Sequence, residues 1–144
     1  MLQQKIYGLP DDVIREHILP YTYKPQSQEL CEDIRNYYEV SHHLFEKYHQ
    51  LYKDGYINED KEMLLYDMKR FMNKGKTTMF GYVDFYIQFF QRFFMLRNAH
   101  RDQIVEFLKM PKYYYFTRDI HGNIGIMKPR EREKLKEFLA SIHP

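Results

Sequence analysis

The sequence predicts a mainly α-helical protein, a helical bundle of about five helices with one β-hairpin near the C-terminus. Two observations lead to this fold class. Apolar residues recur every three or four positions over most of the chain, which is the period of an α-helix. The segment YYYFTRDIHGNIGIM departs from that period and combines aromatic and β-branched residues with a central His-Gly-Asn.

The chain opens with a short helix between two prolines, Pro10 and Pro20. Pro10 fits the first helical turn because its missing N–H would have no partner there. Pro20 ends the helix because the residue before a proline avoids the α conformation. A helix of about two turns is not stable alone, so we expect its apolar side chains to dock on another surface.

A long second helix is predicted from about Ser27 to Asp54, where Asp54-Gly55 provides a stop. Its apolar and small residues alternate in steps of four and three, as in a coiled-coil seam. This seam consists of Leu30, Ile34, Tyr37, Ser41, Leu44, Tyr48 and Leu51.

A third helix is predicted from about Asn58 to Lys74, and Gly75 ends it. Five of its residues share one face that we expect to point inward. They are Leu64, Leu65, Met68, Phe71 and Met72.

A Phe-rich helix is predicted from about Thr77 to Pro111, with a bend near Asn98. In its most apolar window, 79–96, the polar residues Asp84, Gln88, Gln91 and Arg92 share one stripe at 100° per residue. A membrane span needs about 20 nearly uncharged residues. We therefore expect a helix buried on nearly all sides, Phe80 and Phe94 included, with its polar stripe facing solvent or a partner. Membrane contact at 79–96 is the alternative. A buried Asp84 would be the best single candidate for a perturbed acid.

The hairpin is predicted with strands near 113–119 and 124–127. An isolated hairpin is marginal in water, so it must pack on the helices or pair with another chain. A last helix follows, with Pro129 in its first turn and Leu135, Phe138, Leu139 and Ile142 on one face. We expect two segments packed as one domain, residues 1–55 and residues 56–144, the latter carrying the hairpin (113–127) and the last helix.

Composition and charge favour protein partners. Aromatic residues make up 17% of the chain, with 14 Tyr and 11 Phe, which favours a tight core or a buried interface. The net charge of +2 is spread unevenly, with six Lys and Arg against nine Asp and Glu in residues 1–54. This is not the strong basic field of a nucleic-acid-binding protein. The sequence therefore argues against nucleic acid and for contact with differently charged protein neighbours.

The sequence carries no recognisable catalytic motif. There is no GxSxG, no P-loop, no GxGxxG, and no Cys/His spacing that suits zinc. His42, His43 and His49 lie on one long helix without metal-ligand spacing, and Cys31 is alone, so it forms no intramolecular disulfide. We expect a protein that is not an enzyme and binds no metal or cofactor.

The segment LPDDVIREHILPY, followed by ELCEDIRNYYEVSHHL, resembles an F-box. The features in common are Leu9-Pro10, a short helix ending in Ile-Leu, a Tyr, and a helix bearing Val40-Ser41. In F-box proteins the Leu-Pro and following apolar residues dock on a small adaptor subunit of a cullin-type ubiquitin ligase. The likeness covers residues 7–52, and the same segment looks like one found in small proteins of large nucleocytoplasmic DNA viruses.

The resemblance implies two functions. In the first, the chain is a minor structural protein of a large DNA virus particle, capsid-associated or cement, found in the virion and host cytoplasm. In the second, it is a substrate adaptor in the host cytoplasm, and residues 56–144 hold a substrate. The predicted partner-binding residues are Leu9, Pro10, Val13, Ile14, Ile18, Leu19 and Tyr21 in the F-box-like segment and Tyr113, Tyr114, Tyr115 and Phe116 in the hairpin.

Overall fold

The computed structural model of the chain describes residues 8–18, 25–110 and 115–144. Across these three ranges the regular elements are helices and single helical turns, and no strand is present. The chain divides into two compact units, Met1–Glu32 and Asp33–Pro144. The sequence-based segment boundary at residue 55 stays a prediction.

The described residues contain seven α-helices, so the mainly helical character is confirmed and the predicted count of about five is wrong. A π-helical segment, Ile14–Ile18, directly continues the first helix, and two 3₁₀ turns, Thr78–Phe80 and Phe94–Leu96, flank the fourth. The helices are α1 (Asp11–Val13), α2 (Gln28–Leu51), α3 (Glu59–Met72), α4 (Asp84–Phe90), α5 (Arg101–Lys109), α6 (Phe116–Ile126) and α7 (Pro129–Ile142).

Helix α1 begins directly after Pro10, as the sequence predicts. Asp11 and Asp12 occupy its first turn, where the helix dipole favours negative charge. Helix α2 begins beside Ser27, whose hydroxyl accepts a hydrogen bond from the Leu30 backbone N–H at 3.2 Å. Both helix starts therefore follow from local residues.

The long helix α2 is confirmed, but its predicted seam is buried only in the middle. Ser41, Leu44 and Tyr48 are buried. Leu30, Ile34 and Leu51, at the two ends of the seam, are each exposed over more than two fifths of their surface. The heptad spacing therefore identifies the face whose middle residues are buried, but not how far along the helix the burial extends.

The Phe-rich segment is not one helix, which corrects the prediction for Thr77–Pro111. Gly81 has a φ of 117°, a conformation that glycine adopts readily and other residues rarely do. At the start of α5, the His100 backbone N–H donates to the Gln103 side chain at 2.8 Å, a capping interaction that favours a new helix there. The helices α4 and α5 are therefore short, and no helix in the described part of the chain is long and apolar enough to cross a membrane.

The predicted hairpin is wrong, because Phe116–Ile126 forms helix α6. Ile120 and Ile124, four residues apart, are both completely buried, as expected for one face of a helix. Neither Gly122 nor Gly125 has the positive φ that a hairpin turn would require. Burial of this face against α3 outweighs the strand preference of the aromatic and β-branched residues.

The core of the second unit surrounds α3, which packs against α4, α6 and α7. The predicted inward face of α3 is confirmed, with Phe71 half-buried and the other four residues buried. Helix α7 is also confirmed, with Pro129 in its first turn. The buried apolar residues are Val40, Leu44, Tyr48, Leu64, Leu65, Met68, Met72, Tyr86, Ile87, Phe89, Phe90, Ile104, Ile120, Ile124, Met127, Leu135 and Leu139.

Candidate functional site

The predicted partner-binding residues of the F-box-like segment lie around α1. Leu9 is 44% exposed, Pro10 is also exposed, and Val13 is half-buried. Ile14 and Ile18 are the first and last residues of the π-helical segment. Leu9 and Pro10 are therefore accessible where the resemblance places a docking surface.

The predicted hairpin residues are placed differently. Tyr115 immediately precedes α6 and is 54% exposed, with the Arg118 guanidinium 4.3 Å from its ring centre. Phe116 begins α6 and packs half-buried against the core, so it is not a strand residue. The remaining predicted residues lie outside the described ranges; they are Leu19, Tyr21, Tyr113 and Tyr114.

A buried carboxylate, Asp67, connects α2, α3 and the residue after α7. Its Oδ2 accepts hydrogen bonds from the Tyr48 hydroxyl at 2.7 Å and from His143 Nε2 at 3.0 Å. Burial, reinforced by the neighbouring Asp67 carboxylate, raises the pKa of Tyr48. The phenol therefore stays a protonated donor, and this cluster acts as a structural connection.

Arg132 of α7 is a second buried polar residue, only 2% exposed. Its guanidinium pairs with the Asp33 carboxylate and donates to the Ile124 carbonyl at 2.9 Å and the Asn36 side chain at 3.2 Å. The Tyr37 ring centre lies 5.5 Å from the guanidinium carbon. The charge of Arg132 is thus compensated by groups that hold α2, α6 and α7 together.

The other polar residues singled out by sequence are exposed. The side chain of Asp84 is 84% exposed and pairs with Arg101, so Asp84 is not the buried, perturbed acid that the sequence offered as a candidate. His42, His43 and His49 are all exposed on α2. Within residues 8–18, 25–110 and 115–144, no three His, Cys, Asp or Glu side chains are grouped to hold a metal ion.

Four large apolar side chains that the sequence analysis assigned to the buried helix 79–96 are exposed instead. Met79 and Phe80 are 82% and 89% exposed on the first 3₁₀ turn. Phe94 and Met95 are 87% and 89% exposed on the second. The expected burial of Phe80 and Phe94 is therefore wrong. Gly81 is the sequence feature that could have indicated the break in the helix, because a glycine beside an apolar run indicates a turn.

An open groove of about 1150 Å³ lies between the segment 76–83, here called the 76–83 loop, and helix α5. The loop contributes Met79 and Phe80 to its lining. Helix α5 contributes Arg101, Asp102, Val105 and Lys109. The groove therefore combines exposed apolar side chains with a mainly cationic wall.

Asn73, which is 1% exposed, holds the 76–83 loop in place. Its amide nitrogen lies within hydrogen-bond distance of three carbonyl oxygens, those of Lys76 (3.2 Å), Thr77 (3.3 Å) and Gly81 (3.1 Å). Its amide oxygen accepts from the Val83 backbone N–H at 2.8 Å. These bonds tie the loop to a buried residue, so the exposure of Met79 and Phe80 is a consequence of a fixed loop conformation.

The described residues thus define a helical protein whose buried polar groups connect helices and whose apolar loop borders an open groove. Comparison with known proteins found no matching family model, no similar curated protein and no similar solved structure. Sequence reasoning missed the groove, because its two walls come from a loop and a helix that the sequence analysis joined in a single element.

Proposed function

We propose that this chain is a non-enzymatic protein-interaction protein that serves as a minor structural component, capsid-associated or cement, of a large DNA virus particle. The observation that carries the interaction role is the exposure of Met79 and Phe80 on a loop fixed by Asn73. Covering apolar surface is favourable by about 25 cal/mol per Å². A fixed loop that exposes two large apolar side chains therefore favours a partner that covers them.

The two buried polar clusters support a role without bond-making chemistry. Asp67 accepts hydrogen bonds from Tyr48 and His143. Arg132 forms an ion pair with Asp33 and donates to backbone carbonyls. A catalytic acid, base or nucleophile needs access to a substrate. These groups are instead used to hold helices together, which favours a structural protein over an enzyme.

The viral part of the proposal rests on the resemblance of residues 7–52 and on the uneven charge of the chain. A protein that lies between coat or cement proteins needs several contact surfaces of different charge. The excess of Asp and Glu in residues 1–54 and of Lys and Arg in residues 55–144 is consistent with such contacts. We accordingly propose the virion and the host cytoplasm as its locations.

Crosslinking mass spectrometry of purified particles of the virus that encodes this chain tests the viral role. We expect the chain in the particles in many copies, with crosslinks from Lys76 or Lys109 to coat or cement proteins. An abundant host cytoplasmic protein serves as the contamination control. Detection of the chain in infected cells but not in purified particles would remove the structural role.

A second candidate function, the ubiquitin-ligase adaptor, is favoured by the exposure of Leu9 and Pro10 ahead of α1. A pull-down with the ligase adaptor subunit tests it, using Leu9→Asp against Tyr66→Asp, which lies outside residues 7–52, as the control. Leu9 is 44% exposed and Tyr66 is 45% exposed, so the two variants are matched in exposure. Binding that is absent, or equal in both variants, rules out the F-box function.

A further inference from the structure

We propose that the groove between the 76–83 loop and α5 binds a segment of another protein that carries a large apolar side chain flanked by carboxylates. This deepens the proposed interaction function and rests on it. Three observations on the described residues carry it: the apolar loop, the charge of the groove wall and the fixed conformation of the loop.

The apolar part of the site is formed by Met79 and Phe80, with the half-buried Val105 on the facing helix. The groove volume of about 1150 Å³ exceeds the upper end, about 1,000 Å³, of ordinary small-molecule pockets. An open groove of this size matches a peptide segment, which anchors one or two apolar side chains and leaves its backbone partly in water. Phe80 is the expected anchor contact, because aromatic side chains, Phe included, are enriched in the cores of protein interfaces.

The charges of the lining favour an acidic partner. Lys76, Arg101 and Lys109 line the groove together with one carboxylate, Asp102. Arg101 pairs with Asp84 and donates to the Tyr82 carbonyl at 3.0 Å, so its charge is largely compensated.

Two lysines supply the remaining positive charge of the groove. The nearest carboxylate to Lys109 is that of Glu106 at 3.6 Å, and both side chains are more than three-fifths exposed. An exposed pair of this kind contributes little and is easily exchanged for a partner's carboxylate. Lys76 and Lys109 are therefore the groups that would recognise carboxylates on the bound segment.

The mixture of apolar and charged groups favours a protein over a nucleic acid. A nucleic-acid groove follows the phosphate backbone with a continuous basic lining. Here Asp102 interrupts the cationic wall, and the exposed Met79 and Phe80 provide an apolar centre. A peptide with an apolar anchor between carboxylates complements both features.

The fixed loop lowers the cost of binding. Ordering a flexible loop on association reduces affinity, whereas a loop already in its bound conformation avoids this loss. The four hydrogen-bond contacts of the buried Asn73 side chain hold the 76–83 loop before any partner arrives. Asn73 is thus a positioning residue for Met79 and Phe80.

A display library of random 12-residue peptides, selected on the full chain, tests the proposal. We expect the selected pool to be enriched in Asp and Glu next to Phe, Leu or Trp. Fluorescence anisotropy with one selected peptide then measures affinity, and we expect Phe80→Asp to weaken it by about tenfold or more. The double variant Lys76→Glu/Lys109→Glu is expected to weaken it similarly and to select basic peptides from the same library.

Matched controls lie outside the groove. Ile57, like Phe80, is 89% exposed, so Ile57→Asp controls for a charge placed on an exposed apolar position. Lys53→Glu/Lys134→Glu makes the same charge change on two exposed lysines that do not line the groove. Both controls are expected to leave the affinity within about twofold. Circular dichroism verifies that every variant has the wild-type helix content.

The outcomes separate this proposal from the broader function. Three results would each overturn the groove assignment. The first is a selected pool without enrichment in Asp and Glu, and the second is a peptide with equal affinity for Phe80→Asp and the wild type. The third is binding of labelled single-stranded RNA that is tighter than binding of the peptide. The assignment would also fail if Phe94→Asp weakened the binding of the selected peptides and Phe80→Asp did not. In that case the interaction function would stand. Failure to select any peptide overturns the groove, and absence from virions independently overturns the viral function.

Discussion

The amide oxygen of Asn73 accepts a 2.8 Å hydrogen bond from the backbone N–H of Val83, ten residues further along the chain. The same side chain, 1% exposed, donates to carbonyls within the segment it encloses. The buried Asn73 side chain is therefore hydrogen-bonded to both ends of the 76–83 loop and fixes the position at which Phe80 is exposed. The geometry of the proposed binding groove depends on this contact.

Replacement of Asn73 by alanine is expected to loosen the loop. The variant removes the partner of the half-buried Val83 N–H, and a buried unsatisfied group costs about 1–3 kcal/mol. The Gly81 carbonyl also loses its partner, but Gly81 is exposed and water can solvate that oxygen. We therefore expect the free energy of unfolding to fall by about 1–2 kcal/mol. Amide hydrogen exchange followed by NMR should show much faster exchange at Val83, while the amides of α7 change only with global stability.

The matched control is Asn98→Ala, because Asn98 is exposed. Its free energy of unfolding should remain within about 0.5 kcal/mol of the wild type. Equal exchange rates at Val83 in the wild type and Asn73→Ala would contradict the role of Asn73.

The buried guanidinium of Arg132 gives a second prediction. Arg132→Met retains much of the side-chain length but removes the donors to the Ile124 carbonyl and to Asp33. Breaking a buried pair by removing one partner costs about 3–5 kcal/mol. Because the Asp33 side chain is 41% exposed and water can solvate it, we expect a loss near the lower limit, about 3 kcal/mol, in urea denaturation.

Arg130→Met is the control for this change, since Arg130 lies on the exposed side of the same helix. Its stability should change by no more than about 0.5 kcal/mol. A loss of similar size in both variants would mean that the arginine contacts to Asp33 and Ile124 do not determine the effect.

The ion pair between Arg92 and Glu131 predicts a pH dependence. Their two hydrogen bonds measure 2.6 and 3.0 Å. Burial alone would raise the pKa of Glu131, but the bonds from Arg92 and from the Lys128 backbone N–H outweigh it and lower the pKa. A carboxyl group with a lowered pKa in the folded state stabilises the fold above its unfolded pKa of about 4.5, and loses this contribution as the pH falls through the folded value.

Glu131→Gln isolates this contribution. We expect the wild type to be more stable than the variant at pH 7, and the difference to shrink as the pH falls below about 4.5. Urea denaturation at a series of pH values measures it, with Glu137→Gln, at an exposed site of the same helix, as the control. A stability difference that is constant from pH 7 down to pH 3 would contradict the assignment.

Elements with a long, regular apolar period were predictable from sequence. Helices α2, α3 and α7 each carry such a period together with local start or stop signals, such as Ser27 and Pro129. The Phe-rich segment was not predictable, because its apolar residues are so numerous that nearly every face of a helix there would be apolar. Its breaks come from Gly81 and from the capping of α5 at His100, which are local signals weaker than the apolar run.

The candidate groove was beyond prediction for a related reason. Its loop is held by Asn73, whose position falls inside the helix predicted over Asn58–Lys74. A buried amide whose partners are carbonyls several residues away leaves no periodic pattern. The exposure of Phe80 follows from that tertiary arrangement, whereas hydrophobicity alone predicts burial.

The two glycines of α6 allow a direct test of helix against hairpin. In a helix, replacing glycine by alanine stabilises by about 0.4–1 kcal/mol when the new methyl group fits. A Cβ at Gly122 would lie 3.7 Å from the Phe93 ring, and one at Gly125 would lie 3.9 Å from the Tyr37 ring, both ordinary contacts. We therefore expect Gly122→Ala and Gly125→Ala each to raise the urea midpoint with an unchanged slope.

Gly75→Ala is the opposing control, because its φ of 79° strains alanine and should lower the midpoint. A hairpin turn at Gly122 would reverse the sign of the first substitution.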